Sequence, residues 1–239
     1  MAIAFIYAIL SYAAIFIFVA GFLSKIWMYA STPVPLVIPT TPAPLTQMGA
    51  NLRVAGEVLF FSSLFKGNKW TWAGGMAMHA ALALTLLWHL RYFLNPLPEG
   101  FMALQAISNP AGYFLPAPIL YLFFRRLTVD RTKYISMLVE DYLLLMLILG
   151  IALTGILMHL VMRPFVIDIK TFIISLLVFR PVSVSLEPMF LLHYTLVLAL
   201  LVYFPFSKLM HVGGIFFTPT RNMANNPRTV RHINPWDKD

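Results

Sequence analysis

The chain contains no cysteine, and charged residues make up only 11% of its 239 positions. The missing cysteine excludes a disulfide framework, thiolate-held iron–sulfur clusters, c-type haem attachment and a cysteine nucleophile. Any redox metal must therefore be held by histidine or methionine. Soluble domains carry about 25% charged residues, so this chain lacks the polar surface to cover a globule in water. With 60% hydrophobic residues and a mean hydropathy of +0.80, it is neither a soluble enzyme nor a disordered chain. The net charge of +8 comes from cations that flank apolar runs rather than forming one face. That pattern points to a lipid bilayer and away from nucleic acid.

What is abundant is uninterrupted apolar sequence. No Asp, Glu, Lys or Arg precedes Lys25, and charge-free stretches then run Trp70–Leu90, Phe101–Phe124, Tyr142–Met162 and Pro188–Ser207. Each is about the length a helix needs to cross roughly 30 Å of hydrocarbon. Backbone groups in lipid must be satisfied within their own segment, which predicts helices. The expected fold is all-α, an integral membrane bundle of five transmembrane helices within residues 1–217, followed by a cytoplasmic tail at 218–239. Pro110, Pro116 and Pro118 interrupt the third stretch, so its helical part is expected after Pro110. The first segment lacks a basic leader and reads as a span, not a cleavable signal.

Cation placement orients the bundle. Lys25, Arg53, Lys66 and Lys69 precede the second span, Arg125, Arg126, Arg131 and Lys133 precede the fourth, and Lys208, Arg221, Arg228, Arg231 and Lys238 follow the fifth. Only Arg91, Arg163, Lys170 and Arg180 fall on the other side. This asymmetry predicts a multi-pass protein of the cytoplasmic (inner) membrane, with its N-terminus outside and its C-terminus inside. Three segments are too short or too broken to cross. Residues 31–48 carry five prolines and read as an extended connector. Val54–Phe65 carries Glu57 and reads as an interfacial helix over 54–65, and Thr171–Phe179 is expected at the outer surface. The tail reads as loose chain, or as an arm that docks on a cytoplasmic partner. There is no internal repeat.

Five of the six histidines lie in or at the ends of the expected spans, where an ionisable side chain is costly and marks function. His79 and His89 are ten positions apart on the second span, and His193 and His211 bracket the fifth, eighteen apart. On continuous helices these spacings are about 15 and 27 Å, and all four rings fit one interhelical seam. The two spans run in opposite directions, which sets His79 level with His211 on the inner side and His89 level with His193 on the outer side. Two imidazoles from facing helices at each level are the donor set of bis-histidine haem iron, so the pattern predicts two b haems. The plainer alternative is that each histidine only bridges helices through a hydrogen bond, in a haem-free membrane anchor or transporter. Neither a His-x-x-x-His pair nor a carboxylate cluster supports a compact zinc or copper site.

Further residues carry weaker signals. His159 and Arg163 close the fourth span at the level of Arg91, where a histidine base and a cation suit a quinol that must lose two protons. Arg91 and Arg163 serve equally as interfacial anchors or haem-propionate partners. Glu140 and Asp141 open the fourth helix, where acids favour the N-terminal dipole. His232 lies in the tail, and methionines and phenylalanines read as packing. No residue stands out as catalytic in its own right.

The stretch from His193 through Phe204-Pro205-Phe206-Ser207-Lys208 to His211 resembles the last helix of the respiratory nitrate reductase gamma subunit family, di-haem cytochromes b. The ten-residue spacing of His79 and His89 and the loop Arg125-Arg126-Leu127 are similar to that family too, over roughly Met76 to Val212. The proline-rich connector and the tail Arg231-His232-Ile233-Asn234-Pro235-Trp236 resemble instead the DsrM cytochromes of DsrMKJOP complexes in dissimilatory sulfur metabolism. The resemblance implies an electron-transfer subunit of a quinone-linked oxidoreductase complex. In it, His79 and His211 would hold the inner haem b and His89 and His193 the outer one. Menaquinone or menaquinol would be the substrate. A cytoplasmic iron–sulfur subunit related to heterodisulfide reductase (DsrK-like) would be the direct partner. A multihaem cytochrome c, a ferredoxin-like subunit and a quinone-interacting membrane subunit would complete the complex. A cytochrome serving a nitrate or heterodisulfide reductase is the alternative.

Overall fold

The structure is a computed structural model that describes residues 2–33, 39, 41–129 and 140–225. Among these residues the chain is all-helical, without a strand. Helix α1 covers Ala2–Ser31 and exposes apolar side chains along its length, with Phe16 72% and Trp27 75% accessible. Such a surface suits hydrocarbon and would be unstable as the skin of a water-soluble protein.

After the connector come α2 (Gln47–Phe60) and α3 (Ser62–Gly67). Helix α4 (Lys69–His89) starts where the Asn68 side chain accepts the Thr71 N–H, an ordinary N-cap. Helices α5 (Gln105–Phe114) and α6 (Pro116–Thr128) form the third stretch. Helix α7 (Glu140–Leu157) continues as a π-helical turn at Met158–Met162, and α8 covers Val166–Leu177. Helix α9 (Pro188–Tyr203) has proline in its first position, where no N–H is needed. Two single-turn helices follow, α10 (His211–Gly214) and α11 (Pro219–Asn222).

Four of these helices are long and apolar enough to cross a membrane, over Phe5–Ser31, Lys69–Tyr92, Glu140–Met162 and Pro188–Phe206. The third stretch departs from expectation. It is helical from residue 101 to 128, but divided into a 3-10 turn at Phe101–Leu104, α5 and α6. Pro110 lies inside α5 rather than ahead of the helix. Its missing N–H costs one backbone bond, and the helix still closes beyond it, with Leu115 N–H donating to Ala111 O at 2.9 Å. The division falls at Leu115, because Pro116 suits the first turn of a new helix. The interfacial helix expected at 54–65 is broken as well. Phe61 between α2 and α3 adopts φ +49°, a left-handed conformation unusual for an aromatic residue.

The long helices pack in sequence around the bundle: α1 on α9, α9 on α7, α7 on α6, and α5 and α6 on α4. One core cluster joins Ala81 of α4 to Ile119 of α6 and Ile148 and Leu149 of α7. The other places α8 over one end of the bundle, where Phe172 is fully buried against Ala8, Phe190 and Tyr194. Helices α4 and α9 are not closely packed neighbours. What stands between them is the set of histidines.

The first residues of the tail are anchored rather than loose. Arg221 donates to the Glu57 carboxylate at 3.0 Å, Gln47 donates to the Asn222 carbonyl at 3.1 Å, and the Asn225 N–H donates to Pro44 O at 2.6 Å. His232 and the rest of the 231–236 motif lie outside the described residues, as do Arg131 and Lys133. Burial alone would raise the Glu57 pKa. The Ser63 hydroxyl and N–H, followed by Arg221 and Arg53, outweigh it and hold the carboxyl below its ordinary value of 4.5. A depressed carboxylate stabilises the fold above its unfolded pKa and ceases to do so as pH falls through the folded value. Glu57→Gln should therefore lower the stability of the detergent-purified protein at pH 7 by about 1–2 kcal/mol. In thermal unfolding the gap to wild type should close as pH drops below 4.5. A gap independent of pH would show that the tie is not ionic.

Candidate functional site

Among the described residues no three histidine or carboxylate side chains converge as a compact metal cluster. The histidines come in twos. The His79 ring on α4 faces the His211 ring at the start of α10, with centroids 6.0 Å apart and planes at 83°. The His89 ring, at the other end of α4, faces His193 of α9 with centroids 6.5 Å apart and planes at 16°. Two imidazoles that share one metal atom stand about 6.2 Å apart centre to centre, allowing about 2.0–2.1 Å for each metal–nitrogen bond and about 1.1 Å from nitrogen to ring centre. Both pairs match that span. Ten residues of α4 place the two levels about 15 Å apart.

Each ring has one nitrogen already engaged. His79 and His89 place Nδ1 at 2.8 and 2.7 Å from the carbonyls of Gly75 and Thr85, one turn back on their own helix. His211 places Nδ1 at 2.7 Å from Lys208 O. His193 has Nδ1 at 2.9 Å from the Thr154 hydroxyl of α7, whose oxygen also lies 2.8 Å from Gly150 O. With the hydroxyl proton on that carbonyl, the Thr154 oxygen accepts from His193. All four imidazoles are thus Nδ1–H donors, which leaves Nε2 with a free lone pair. Metal-bound histidine shows the same arrangement, its outer N–H fixed by a carbonyl or hydroxyl.

Local sequence explains how the rings fit. Gly155 lies against His193, and a Cβ there would sit 3.4 Å from the ring Cε1, so a larger side chain would crowd the imidazole. Phe61, at the left-handed break between α2 and α3, sets its ring edge-on to His79 with centroids 5.0 Å apart. His211 is not on a continuous helix with His193. Helix α9 ends at Tyr203, where Pro205 follows, and the chain passes through two 3-10 turns separated by extended Ser207. The rotation per residue of one unbroken helix therefore does not apply across this segment.

The weaker candidates are distributed as follows. Arg91 lies over the rings of Trp88 and Tyr92 at 4.7 and 4.8 Å and donates to the Tyr92 hydroxyl at 2.6 Å, while its buried Nε has no partner among the described residues. His159 lies in the π-helical turn one helical turn beyond Gly155 and is exposed, and its Nδ1 hydrogen-bonds to the Tyr113 hydroxyl. Asp141 is more than a helix-dipole residue. It is 3% exposed and ion-paired to Lys208 at 2.7 Å and to Arg126 at 3.5 Å. Sequence reasoning missed Thr154 and Tyr113. The one threonine in the apolar fourth span was the available signal for Thr154, and nothing in sequence paired Tyr113 with His159.

Residues 62–233 match the family described as "Nitrate reductase gamma subunit". A protein of Archaeoglobus fulgidus named "Hdr-like menaquinol oxidoreductase cytochrome b-like subunit" is 35% identical, over 96% of this chain and 82% of its own length. Its namesake in Archaeoglobus profundus is 30% identical, over 98% of this chain and 83% of its own. The match spans both histidine levels, the break before His211 and the anchored start of the tail, so the chain belongs to the nitrate reductase gamma subunit family.

Proposed function

We propose that this chain is a membrane-embedded cytochrome b subunit that carries electrons between menaquinol and a cytoplasmic iron–sulfur partner. The observation that supports this best is the fourfold repetition of one local arrangement: an imidazole whose Nδ1–H is held, opposite a second imidazole at the spacing of a shared metal atom. His79 and His211 would hold the inner haem b, and His89 and His193 the outer one. When bound, haem supplies a one-electron couple whose properties depend on its axial ligands and its surroundings. The chain's own residues do the rest. They align the imidazoles through the hydrogen bonds at Nδ1 and fix a spacing of about 15 Å between the two levels along α4.

Five spans, with the divided α5–α6 stretch as the third, and a cytoplasmic C-terminus complete the reading. It is supported by Lys66, Lys69, Arg125, Arg126 and Lys208 in the segments that flank the His79–His211 level. Arg91 and His159 stand at the opposite level, where an unpartnered guanidinium nitrogen and a lipid-exposed imidazole suit the oxygens and protons of a quinol. The relatives' shared name supports menaquinol as substrate and Hdr-like partners, and a DsrK-like iron–sulfur subunit as the direct partner rests on the resemblance of the chain's ends. Sulfur metabolism, a multihaem cytochrome c, a ferredoxin-like subunit and a further quinone-interacting membrane subunit belong to the same proposal, on the resemblance of the chain's ends.

The test is haem stoichiometry by pyridine haemochrome on the complex purified in detergent, with b-type and c-type signals separated. Two b haems per copy are expected, and His211→Ala should leave one. A colourless chain would return the protein to the class of haem-free anchors and transporters. Thr154→Val should weaken haem retention at the His89–His193 level about 10–100-fold while sparing the other level. Equal loss at both levels would mean that Thr154 supports only the fold.

A further inference from the structure

We infer that the ion pair between buried Asp141 and half-exposed Lys208 is a positioning device for His211: it fixes, through Lys208, the carbonyl that orients this imidazole toward His79. The inference rests on the cytochrome reading above and goes beyond it, because it concerns a residue that touches neither ring.

The need for such a device comes from the local backbone. His79, His89 and His193 all stand within long helices, where continuous i→i−4 bonding fixes the ring's starting point. His211 has no such support. Between Tyr203 and His211 the chain makes a 3-10 turn at Phe204–Phe206, an extended residue at Ser207 (φ −115°, ψ 174°), and a second 3-10 turn at Lys208–Met210. Such turns have poorer hydrogen-bond geometry than an α-helix and set side-chain direction less firmly. The Ser207 side chain ties the bend to itself, donating to Phe204 O at 2.9 Å and accepting the Leu209 N–H at 3.2 Å. Neither bond connects the bend to the rest of the bundle.

Packing on α1 holds the start of the bend, with Phe204 edge-on to Phe18 at 5.2 Å and Pro205 fully buried, and Lys208 ties its end to α7. The Lys208 carbonyl accepts from His211 Nδ1–H at 2.7 Å, and its ammonium donates to Asp141 Oδ2 at 2.7 Å. Asp141 belongs to the first turn of α7, a rigid span, and its side chain is only 4% exposed. Arg126, at the end of α6, stands 3.5 Å from the same carboxylate oxygen, so a third element converges there. A lysine half open to solvent would gain little net stability from a lone ion pair. What a well-placed buried carboxylate adds is direction: the lysine is held by both of its ends, one on α7 and one on the imidazole.

The test uses the complete complex and reads each haem separately, by low-spin electron paramagnetic resonance and by potentiometric titration. The two histidine pairs differ in interplanar angle, 83° against 16°, and the low-spin signal of a bis-imidazole iron is sensitive to that angle. Asp141→Asn keeps the shape and removes the charge, and the cations it releases are partly exposed and can turn to water. The expected result is a shift in the signal and midpoint potential of one haem only, the one lost in His211→Ala, with Asp141→Glu moving both back toward wild type. Lys208→Met should displace the same haem. Wild-type signals in both Asp141→Asn and Lys208→Met, or equal shifts of both haems, would overturn the inference while leaving the cytochrome reading intact. A wild-type complex without b haem would overturn both.

Discussion

An imidazole between apolar helices must find a partner for its N–H, because no water competes for it and an unmet donor in hydrocarbon is expensive. That constraint organises the centre of this molecule. Two of the four rings solve it locally, by donating to the carbonyl one turn back on α4. The third borrows a hydroxyl from the neighbouring helix α7, and the fourth uses the carbonyl of a residue that is itself ion-paired to α7. Once every Nδ1–H is placed, the tautomer is set, and each Nε2 keeps its lone pair. The rest of the bundle serves to hold α4 opposite α9 and α10 at a separation wider than direct packing.

These solutions differ in how far sequence reveals them. His79 and His89 were legible, since the partner carbonyl of a helical histidine is fixed by helix geometry and needs no tertiary information. The levels on which the rings meet were legible as well, from span direction alone. The course of the chain to His211 was not. A spacing of eighteen suits an unbroken helix, whereas Pro205 and extended Ser207 divide the segment into turns whose geometry depends on contacts with α1 and α7. Thr154 was illegible for a related reason: a hydroxyl in an apolar run satisfies itself on its own backbone just as readily, and only the approach of α9 gives it a partner on another helix. Asp141 stands in the first turn of an apolar helix, as the dipole rule favours, but that rule carries no sign of the inward ion pairs with Lys208 and Arg126.

Prolines show the same division between local and tertiary information. Pro116 and Pro188 open helices, as their fixed φ and missing N–H favour. Pro110 was expected to delay a helix and instead sits within one. A single lost backbone bond is tolerated where neighbouring helices hold the segment in place, and α5 packs along α4 over much of its length. The division of the third stretch at Leu115 is thus a consequence of the second proline in a segment already short of one donor.

The two ends of the bundle are built from different chemistry. Beyond the His89–His193 level, α8 covers the bundle with Phe172, and tyrosine and serine hydroxyls join α1 to α9: Tyr7 with Thr195 at 2.8 Å and Ser11 with Tyr194 at 2.7 Å. These bonds are neutral, so they hold without a counter-charge and leave an end compatible with the depth of lipid. Beyond the His79–His211 level the joints are ionic: Asp141 with Lys208 and Arg126, and Glu57 with Arg221. Ionic joints of this kind form where at least one partner keeps access to water, as the 50% exposure of Lys208 shows. Both bear on the rings at that level, one through the Lys208 carbonyl and the other through the bend at Phe61, whose ring abuts His79. A charge brought to this end by an aqueous partner would therefore meet side chains already coupled to both imidazoles, whereas the bonds that join α1 to α9 at the opposite end are neutral hydroxyl pairs.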